Sequence, residues 1–277
     1  MSPGALATLT GATTAAGWDA LEPLARGRRT AVSLVQVDGR PCVIKRYTDR
    51  RAFLLRTFLR KSRAARETRA LQSVAAAWPE NPVRALAWGE RRVLGFVPEC
   101  WIVTTEFRDA FDLRQLKHLD PEALAATQAA LLAALPAALA QLHRGGLFAR
   151  TLRGKNILFQ PGSGRVALID LPYARGGARV GLKERAFDLA SLWTELRRSY
   201  DAPAWRAFLD AYLAAAAPDL EDPAAARAAL DPEALQQISL RLRHRTPLTS
   251  WIGRWKRWFR HTRLGEALTG FDEVPRD

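Results

Sequence analysis

The stretch that decides the fold is residues 146–175, which read GLFARTLRGKNILFQPGSGRVALIDLPYAR. Two apolar runs, Ile157 to Phe159 and Val166 to Ile169, flank a turn rich in glycine and proline, so the stretch predicts a β-hairpin. Polar residues, Asn156 and Asp170, stand at its two outer ends, where the hairpin would place them side by side. An amide oxygen and a carboxylate on neighbouring strand ends are suitable ligands for Mg²⁺ held against a phosphate.

This arrangement resembles that of protein kinases, which carry an Asn and a metal-binding Asp on such a hairpin. Asn156 matches the Asn that closes the kinase catalytic loop, and Asp170 begins the triplet that stands where those enzymes have Asp-Phe-Gly. Five residues before Asn156 the resemblance implies the catalytic Asp, but this sequence has Thr151. A threonine cannot accept the proton of a substrate hydroxyl as a carboxylate does, so Thr151 marks the position of a missing base.

The N-terminal part of the chain predicts an antiparallel sheet. Thr30 to Val37 and Pro41 to Tyr47 are strand-like runs separated by Asp38-Gly39, a strong hairpin signal. Three more strands are predicted at Ala85 to Gly89, Val93 to Val97 and Trp101 to Glu106. The sheet would then have about five strands, with one or two helices predicted between them at residues 50–71.

The resemblance to kinases implies nucleotide-binding roles for three residues of the N-terminal part of the chain. Lys45 stands where the kinase strand lysine grips the α and β phosphates, and Glu67 stands where a helix offers that lysine a carboxylate. Glu106 lies in the predicted hinge, whose backbone groups would contact the adenine edge. Gly27 is the one glycine in the turn before these strands, among arginines, so a full glycine-rich phosphate loop is missing from the sequence.

The rest of the chain predicts helices, at Pro121 to His143, Trp205 to Ala216 and Pro223 to Leu242. The resemblance implies that His143 packs beneath the catalytic loop and that Asp188 hydrogen-bonds backbone groups of that loop. It implies a bilobal α+β protein-kinase-like fold. Residues 1–106 would form a sheet lobe with one helix, and residues 107–277 a helical lobe that contains the hairpin 147–175 and a basic, aromatic tail at 250–261.

The charge of the chain indicates a polyanionic partner. Lysine and arginine number 42 against 28 acidic residues, a formal net charge of +14 in a chain of 277 residues. Residues 50–71 and the tail 250–261 both combine basic residues with an apolar helical face, which is typical of helices at an anionic membrane surface. The alternatives are a core-packing helix with a solvated basic face and a composition biased towards arginine. Nucleic acid is disfavoured, because the aromatic residues fall on apolar helix faces.

Among kinase-like families the chain resembles the bacterial lipopolysaccharide core kinases. The residues that carry this resemblance are Val43 to Tyr47, Ser62 to Glu67 and Ile169-Asp170-Leu171 followed by Asp188-Leu189. The resemblance implies ATP and Mg²⁺ as cofactors, with Asn156 and Asp170 as the metal ligands. It implies a Kdo or heptose hydroxyl as acceptor and a place on the cytoplasmic face of the inner membrane.

Two questions about function stay open at this point. Arg150 or Lys155 could stabilise the transferring phosphoryl group or bind the acceptor, and Asp109 or Asp112 could reach the acceptor hydroxyl. Because Thr151 replaces the base, the alternative to an enzyme is a pseudokinase that binds nucleotide, lipopolysaccharide or a partner enzyme.

The sequence also indicates the cellular compartment in which the chain is expected to reside. The sequence predicts no secretory signal and no bilayer-spanning helix, since polar residues and a proline interrupt the alanine-rich run at 123–142. Cys42 and Cys100 are predicted to be buried in a reducing compartment. The chain is therefore expected to be cytosolic or attached peripherally to a membrane.

Overall fold

The computed structural model describes residues 18, 21–27, 30–48, 57–150, 152–171, 173–177 and 179–244. They form two compact units: the first holds the described residues up to 65 together with 88–103 and 241–244, and the second holds 66–87 and 104–240. Thr151 and the tail 250–261 lie outside the described residues, and the predicted lobe boundary at residue 106 stays a prediction.

A five-stranded sheet has the order β1-β2-β3-β5-β4. Its strands are β1 (Pro23–Arg26), β2 (Thr30–Val37), β3 (Arg40–Thr48), β4 (Ala85–Val93) and β5 (Phe96–Thr105). Asp38 and Gly39 join β2 to β3 with φ of 50° and 70°, the left-handed conformations that the shortest hairpin turns require. Ile44 on β3 and Ile102 on β5 are fully buried. With the helices described next, this sheet confirms the α+β class.

The prediction of three strands between residues 85 and 106 was wrong. This segment forms two strands, β4 and β5, and the fifth strand of the sheet is β1. β4 continues through Gly89, where the absence of a side chain leaves room for the ring of Trp101. A Cβ at this position would lie 2.5 Å from that ring. The chain turns at Leu94-Gly95 instead, where both residues have positive φ.

The helical prediction for residues 50–71 also needs correction. Residues 57–60 form a turn, and the helix α1 spans Arg63–Ala77. Ser62 sets its start, because the Ser62 hydroxyl accepts a hydrogen bond from the backbone N–H of Ala65 at 3.1 Å. Residues 49–56 lie outside the described part of the chain.

The second unit is built around α2 (Pro121–Arg144), which agrees with the predicted buried helix. The Asp120 carboxylate caps its start by accepting from Ala123 N–H at 2.9 Å. Among the described helices, α2 is long and apolar enough to cross a membrane, judged by length and composition alone. Four of its six leucines nevertheless pack inside the unit: Leu131, Leu135, Leu139 and Leu142 are each at most 1% exposed.

Short strands lie beside this helix in the second unit. A three-stranded sheet of order β6-β8-β9 contains β6 (Phe111–Asp112), β8 (Ile157–Gln160) and β9 (Arg165–Leu168). A separate pair joins β7 (Leu147–Phe148) to β10 (Arg175–Gly176). Short 3₁₀ helices occur at Leu113–His118, Gly154–Asn156 and Ala217–Asp219.

Four helices follow: α3 (Leu182–Leu196), α4 (Ala202–Ala216), α5 (Pro223–Ala229) and α6 (Pro232–His244). The single helix predicted at 223–242 is therefore two helices. The break occurs at Asp231, whose carboxylate caps α6 by accepting from Glu233 N–H at 2.9 Å, and Pro232 begins the new helix. Trp205 on α4 stacks against Trp193 and Phe208, with both pairs of ring centroids 4.9 Å apart.

Candidate active site

The predicted hairpin forms, and it brings its two polar ends together. Ile157 on β8 faces Leu168 on β9, and the backbone N–H of Ile169 donates to the carbonyl of Asn156 at 2.9 Å. The side-chain Nδ2 of Asn156 then donates to the backbone carbonyl of Asp170 at 3.2 Å. The predicted adjacency of Asn156 and Asp170 is confirmed, and because the amide nitrogen donates this bond, the amide oxygen is the atom of Asn156 that could bind a metal.

The backbone is strained at two of the predicted site residues. Arg150 and Asp170 have φ of 61° and 51°, in the left-handed region that residues with side chains rarely adopt. Each such conformation costs about 1–3 kcal/mol and persists only where the surroundings hold it.

Asp188 on α3 holds the loop from below. Its Oδ2 accepts a hydrogen bond from the backbone N–H of Ala149 at 2.8 Å, and the carboxylate is fully buried. The predicted structural role of Asp188 is confirmed. Because Ala149 directly precedes Arg150, this bond fixes the strained end of the loop to a helix of the core.

A buried polar network extends from Asp188. His143 is fully buried on α2; its Nε2 lies 3.4 Å from Asp188 Oδ2 and its Nδ1 lies 2.7 Å from the Tyr212 hydroxyl. The Arg185 guanidinium donates to the same hydroxyl at 3.2 Å and to the carbonyl of Val180 at 3.1 Å. His143 thus packs beneath the loop as predicted, in a chain of hydrogen bonds that joins three helices.

Burial governs the protonation of this network. Burial raises the pKa of Asp188, although hydrogen bonds from His143 and from backbone N–H groups favour its charged form. Burial likewise raises the pKa of Tyr212 to about 12. The Tyr212 hydroxyl therefore stays protonated at neutral pH, where it can donate to His143 while it accepts from Arg185.

Glu195 fixes the other side of the loop, and the sequence analysis missed it. Its Oε2 accepts from the backbone N–H of Gly154 at 2.7 Å, and its Oε1 accepts from the Arg153 side chain at 2.8 Å. A signal was available, because Glu195 lies seven residues after Asp188 and so on the same face of α3. One helix therefore anchors the loop at Ala149 and at Gly154, on either side of Thr151.

Two cations project from this loop. Arg150 and Lys155 are both exposed. Burial would raise the pKa of Asp112, but hydrogen bonds from Arg114 and the charges of Arg114 and Lys155 outweigh it, so the pKa lies below its usual value. Arg114 binds the Asp112 carboxylate at 2.7 and 2.9 Å. A carboxylate held in this way is a poor proton acceptor, so the geometry argues against Asp112 as the replacement base.

The predicted nucleotide-binding residues lie on the expected elements. Lys45 is half-buried on β3, with its Nζ 5.2 Å from the centre of the Tyr47 ring. Glu67 is buried on α1, and Glu106 directly follows β5, where its carboxylate pairs with Arg108 at 2.7 Å. Lys45 belongs to the first unit and Glu67 to the second, and their pairing stays a prediction.

The donor chemistry at the hairpin end fits Mg²⁺. The Oδ1 atoms of Asn156 and Asp170 are both buried oxygens, the hard ligands that Mg²⁺ prefers. The described residues contain no group of three or more His, Cys, Asp or Glu that could hold a metal by itself. Mg²⁺ at a nucleotide site is normally held by one or two protein oxygens with phosphates and water completing its shell, so a two-ligand site suits it.

The chain is similar to one family model and to a solved structure. The family model described as "Lipopolysaccharide kinase (Kdo/WaaP) family" matches residues 22–212, a range that contains all the predicted site residues. No curated protein matches the chain. The chain is similar to a solved structure described as "WaaP in complex with acyl carrier protein", with 21% identity over 79% of this chain and 90% of that chain and a TM-score of 0.53. At that identity the likeness establishes the kinase-like fold.

Proposed function

Because the chain belongs to the lipopolysaccharide kinase (Kdo/WaaP) family, we propose that it transfers the γ-phosphate of ATP to a Kdo or heptose hydroxyl of the lipopolysaccharide inner core. The observation that carries the proposal is the pairing of Asn156 with Asp170 at the end of the hairpin. A binding scaffold with no need for a metal would have no chemical use for this pair beside an anchored loop.

Asn156 and Asp170 are the residues that would hold Mg²⁺. When bound, Mg²⁺ supplies positive charge that offsets the charge on the phosphates. The protein contributes positioning: the hairpin fixes both side chains, and the Asn156 amide fixes the backbone of Asp170. Positioning and electrostatics account for most of the catalysis of phosphoryl transfer, so a rigid pair is the feature that the reaction requires.

Lys45 is proposed to bind the α and β phosphates of ATP, with Glu67 orienting it and backbone groups near Glu106 binding adenine. Lys45→Ala should weaken ATP binding measured by titration calorimetry, whereas Lys183→Ala, which removes an exposed lysine on α3, should not. Equal affinity of the Lys45→Ala variant and the native chain would remove Lys45 from the nucleotide site.

Arg150 and Lys155 are proposed to interact with the negatively charged groups that take part in the reaction. Both are exposed and charged, and they flank Thr151 in the sequence. They can stabilise charge on the transferring phosphoryl group or bind anionic groups of the acceptor. General-base help is typically worth about 10²- to 10⁴-fold, so replacement of the base by Thr151 predicts a slow enzyme rather than an inactive one.

The acceptor and the location of the chain follow from the same proposal. The lipopolysaccharide inner core is an anionic glycolipid, and the net charge of +14 favours binding to it and to an anionic membrane surface. The site of action would be the cytoplasmic face of the inner membrane. Acyl carrier protein, which the similar WaaP structure contains, is a further partner to test.

The alternative is a pseudokinase, and one observation favours it: Thr151 stands at the position of the catalytic Asp. In that case the chain would bind nucleotide, lipopolysaccharide or a partner enzyme and would transfer nothing. The two readings differ in a single measurable property, which is phosphate transfer.

The test is transfer of labelled γ-phosphate from Mg-ATP to purified lipopolysaccharide core by the native chain, Asp170→Ala and Thr151→Asp. Transfer by the native chain that is lost in Asp170→Ala would establish a kinase that works without the usual base. A silent native chain with activity gained in Thr151→Asp would identify a pseudokinase. If neither the native chain nor the Thr151→Asp variant binds Mg-ATP, the kinase proposal is overturned, and so is a pseudokinase that binds nucleotide.

A further inference from the structure

Two turns of the first unit lie side by side and form what we call the apolar tip, residues 57–60 and 93–96. The backbone N–H of Leu59 donates to the carbonyl of Gly95 at 3.1 Å, which joins the two turns. The rings of Phe58 and Phe96 pack against each other with centroids 4.9 Å apart. The tip is therefore an ordered structure whose shape is set by the hairpin between β4 and β5.

The apolar side chains of this tip project into solvent. Leu94 is 87% exposed and Leu59 is 75% exposed, the highest values among the exposed large apolar residues in the described part of the chain. Phe58 and Val93 beside them are each 47% exposed. Single exposed leucines are ordinary, but a contiguous apolar group at one end of a sheet marks a binding surface.

The backbone conformation of the two exposed leucines is one that leucine rarely adopts. Leu59 and Leu94 have φ of 51° and 49°, in the left-handed region. The turn Asp38-Gly39 has nearly the same two φ angles as Leu94-Gly95, but it uses the residue pair that such turns prefer. The same protein thus uses the favourable residue in one hairpin and an exposed leucine in the other, which indicates that Leu94 serves something other than folding.

Four cations lie in the two turns or directly beside them in the sequence. Arg60, Lys61, Arg91 and Arg92 are all exposed. Two carboxylates lie near them: Glu90 pairs with Arg92 at 2.5 Å, and Glu99 pairs with Arg46 and lies 4.0 Å from Arg91. The residues of the two turns and their flanks, 57–61 and 90–96, carry four cations against the one carboxylate of Glu90.

We propose that the apolar tip inserts its leucines into the headgroup region of an anionic lipid bilayer. An apolar end that enters the interface while a surrounding ring of Lys and Arg contacts anionic headgroups is the arrangement that such binding requires. A protein partner fits less well, since a stable protein interface buries about 800 Å² on each side and two turn tips offer few side chains. The tip is built from residues that take no part in the proposed phosphate transfer, so it can be tested separately.

The test compares binding of the full chain to vesicles of phosphatidylethanolamine with phosphatidylglycerol and to vesicles of phosphatidylcholine alone, by co-sedimentation. The native chain should bind the anionic vesicles preferentially. The double variant Leu59→Asn/Leu94→Asn should lower the partition coefficient roughly tenfold or more. Because asparagine tolerates the left-handed conformation, the same variant should also have an unchanged or raised Tm.

Two control variants separate the tip from general effects. Asp38→Asn keeps a favoured turn in the other hairpin, and Leu24→Asn removes a leucine that is 51% exposed on β1, at the opposite edge of the sheet. Both should bind vesicles as the native chain does. Equal vesicle binding by the native chain and the double variant would overturn the proposal. So would a native chain that ignores vesicles but binds purified acyl carrier protein in a Leu94-dependent manner.

Phosphate transfer provides an independent readout. If the chain is a kinase, the double variant should transfer phosphate to a soluble, lipid-free core oligosaccharide at the native rate. Loss of vesicle binding with this transfer unchanged would support the proposed membrane-binding role of the apolar tip. An inactive native chain that still binds vesicles through its leucines would contradict the proposed function and leave the tip established.

Discussion

The side-chain amide of Asn156 donates a hydrogen bond to the backbone carbonyl of Asp170 at 3.2 Å. The bond joins the two predicted metal ligands directly, and it holds Asp170 in its left-handed conformation with φ of 51°. The pair therefore forms one unit, in which the Asn156 side chain positions the backbone of Asp170 while the Asp170 carboxylate stays outside the bond.

Asp170→Asn tests this unit with the shape of the side chain kept. The variant loses the negative charge that would hold Mg²⁺, so we expect phosphate transfer to fall by about 100-fold or more, since a metal contributes several kcal/mol to such reactions. Thermal unfolding should change little. Asp210→Asn, which removes an exposed carboxylate paired with Arg227, is the control and should keep full activity. Retained transfer in Asp170→Asn would exclude this residue as the metal ligand.

Asp188→Ala should destabilise the second unit. It leaves the Ala149 N–H and the His143 ring without their buried acceptor, which should lower the free energy of unfolding by about 2–3 kcal/mol. Urea denaturation gives this value directly. Asp201→Ala removes an exposed helix cap instead and should cost only about 1 kcal/mol. Similar losses in the two variants would mean that the Asp188 network contributes little.

Glu195 is expected to act as a positioning residue. Glu195→Ala removes the acceptor of the Gly154 N–H and should lower kcat by about tenfold with KM for ATP little changed, because a loop placed less accurately slows the reaction and not nucleotide binding. Glu195→Gln keeps an acceptor and should recover most of the activity. Glu184→Ala, which removes the capping residue of the same helix, is the control and should leave kcat unchanged. A kcat of Glu195→Ala equal to the native value would rule out this role.

Tyr212 should impose a pH dependence on stability. Its pKa is raised from 10.0 to about 12 in the folded protein, so its contribution is fully present below pH 10 and is lost as the pH rises towards 12. Tyr212→Phe lacks this titration and the hydrogen bonds to His143 and Arg185. We expect it to be less stable than the native chain by about 1–2 kcal/mol at pH 8. The gap should narrow above pH 10, as measured by urea unfolding at a series of pH values. A gap that stays constant with pH would contradict the raised pKa.

Gly145→Ala should prevent close packing of two helix ends. A Cβ at Gly145 would lie 2.6 Å from the Cα of Ala77, the last residue of α1, so the backbones would have to move apart. The expected loss of stability is about 2 kcal/mol or more. Gly162→Ala is the matched control, because nothing lies within 4 Å of a Cβ at that position. Equal melting temperatures of the two variants would show that this contact is not tightly packed.

The hairpin and its polar ends could be predicted because their determinants are local. Alternating apolar residues and a glycine-rich turn specify the register of Ile157 to Leu168, and the register places Asn156 beside Asp170. The local pattern gave a wrong prediction at Gly89, which was taken as the end of a strand. A glycine is needed there because the ring of Trp101, twelve residues further along the chain, occupies the space of a side chain.

The sequence by itself determined the hairpin and its polar ends, and its resemblance to known kinases implied the fold class, the family and the order of the site residues, because the motifs that carry the resemblance are short local runs. Only the tertiary structure decided that Glu195 anchors the loop as well as Asp188, that Arg114 holds Asp112, and that Leu59 and Leu94 come together at one tip. Apart from the Asp112 pair, these relations join residues separated by 35 or more positions in the chain. Burial and long-range hydrogen bonds arise from the packing of whole elements, and no pattern within one element specifies which distant group will complete them.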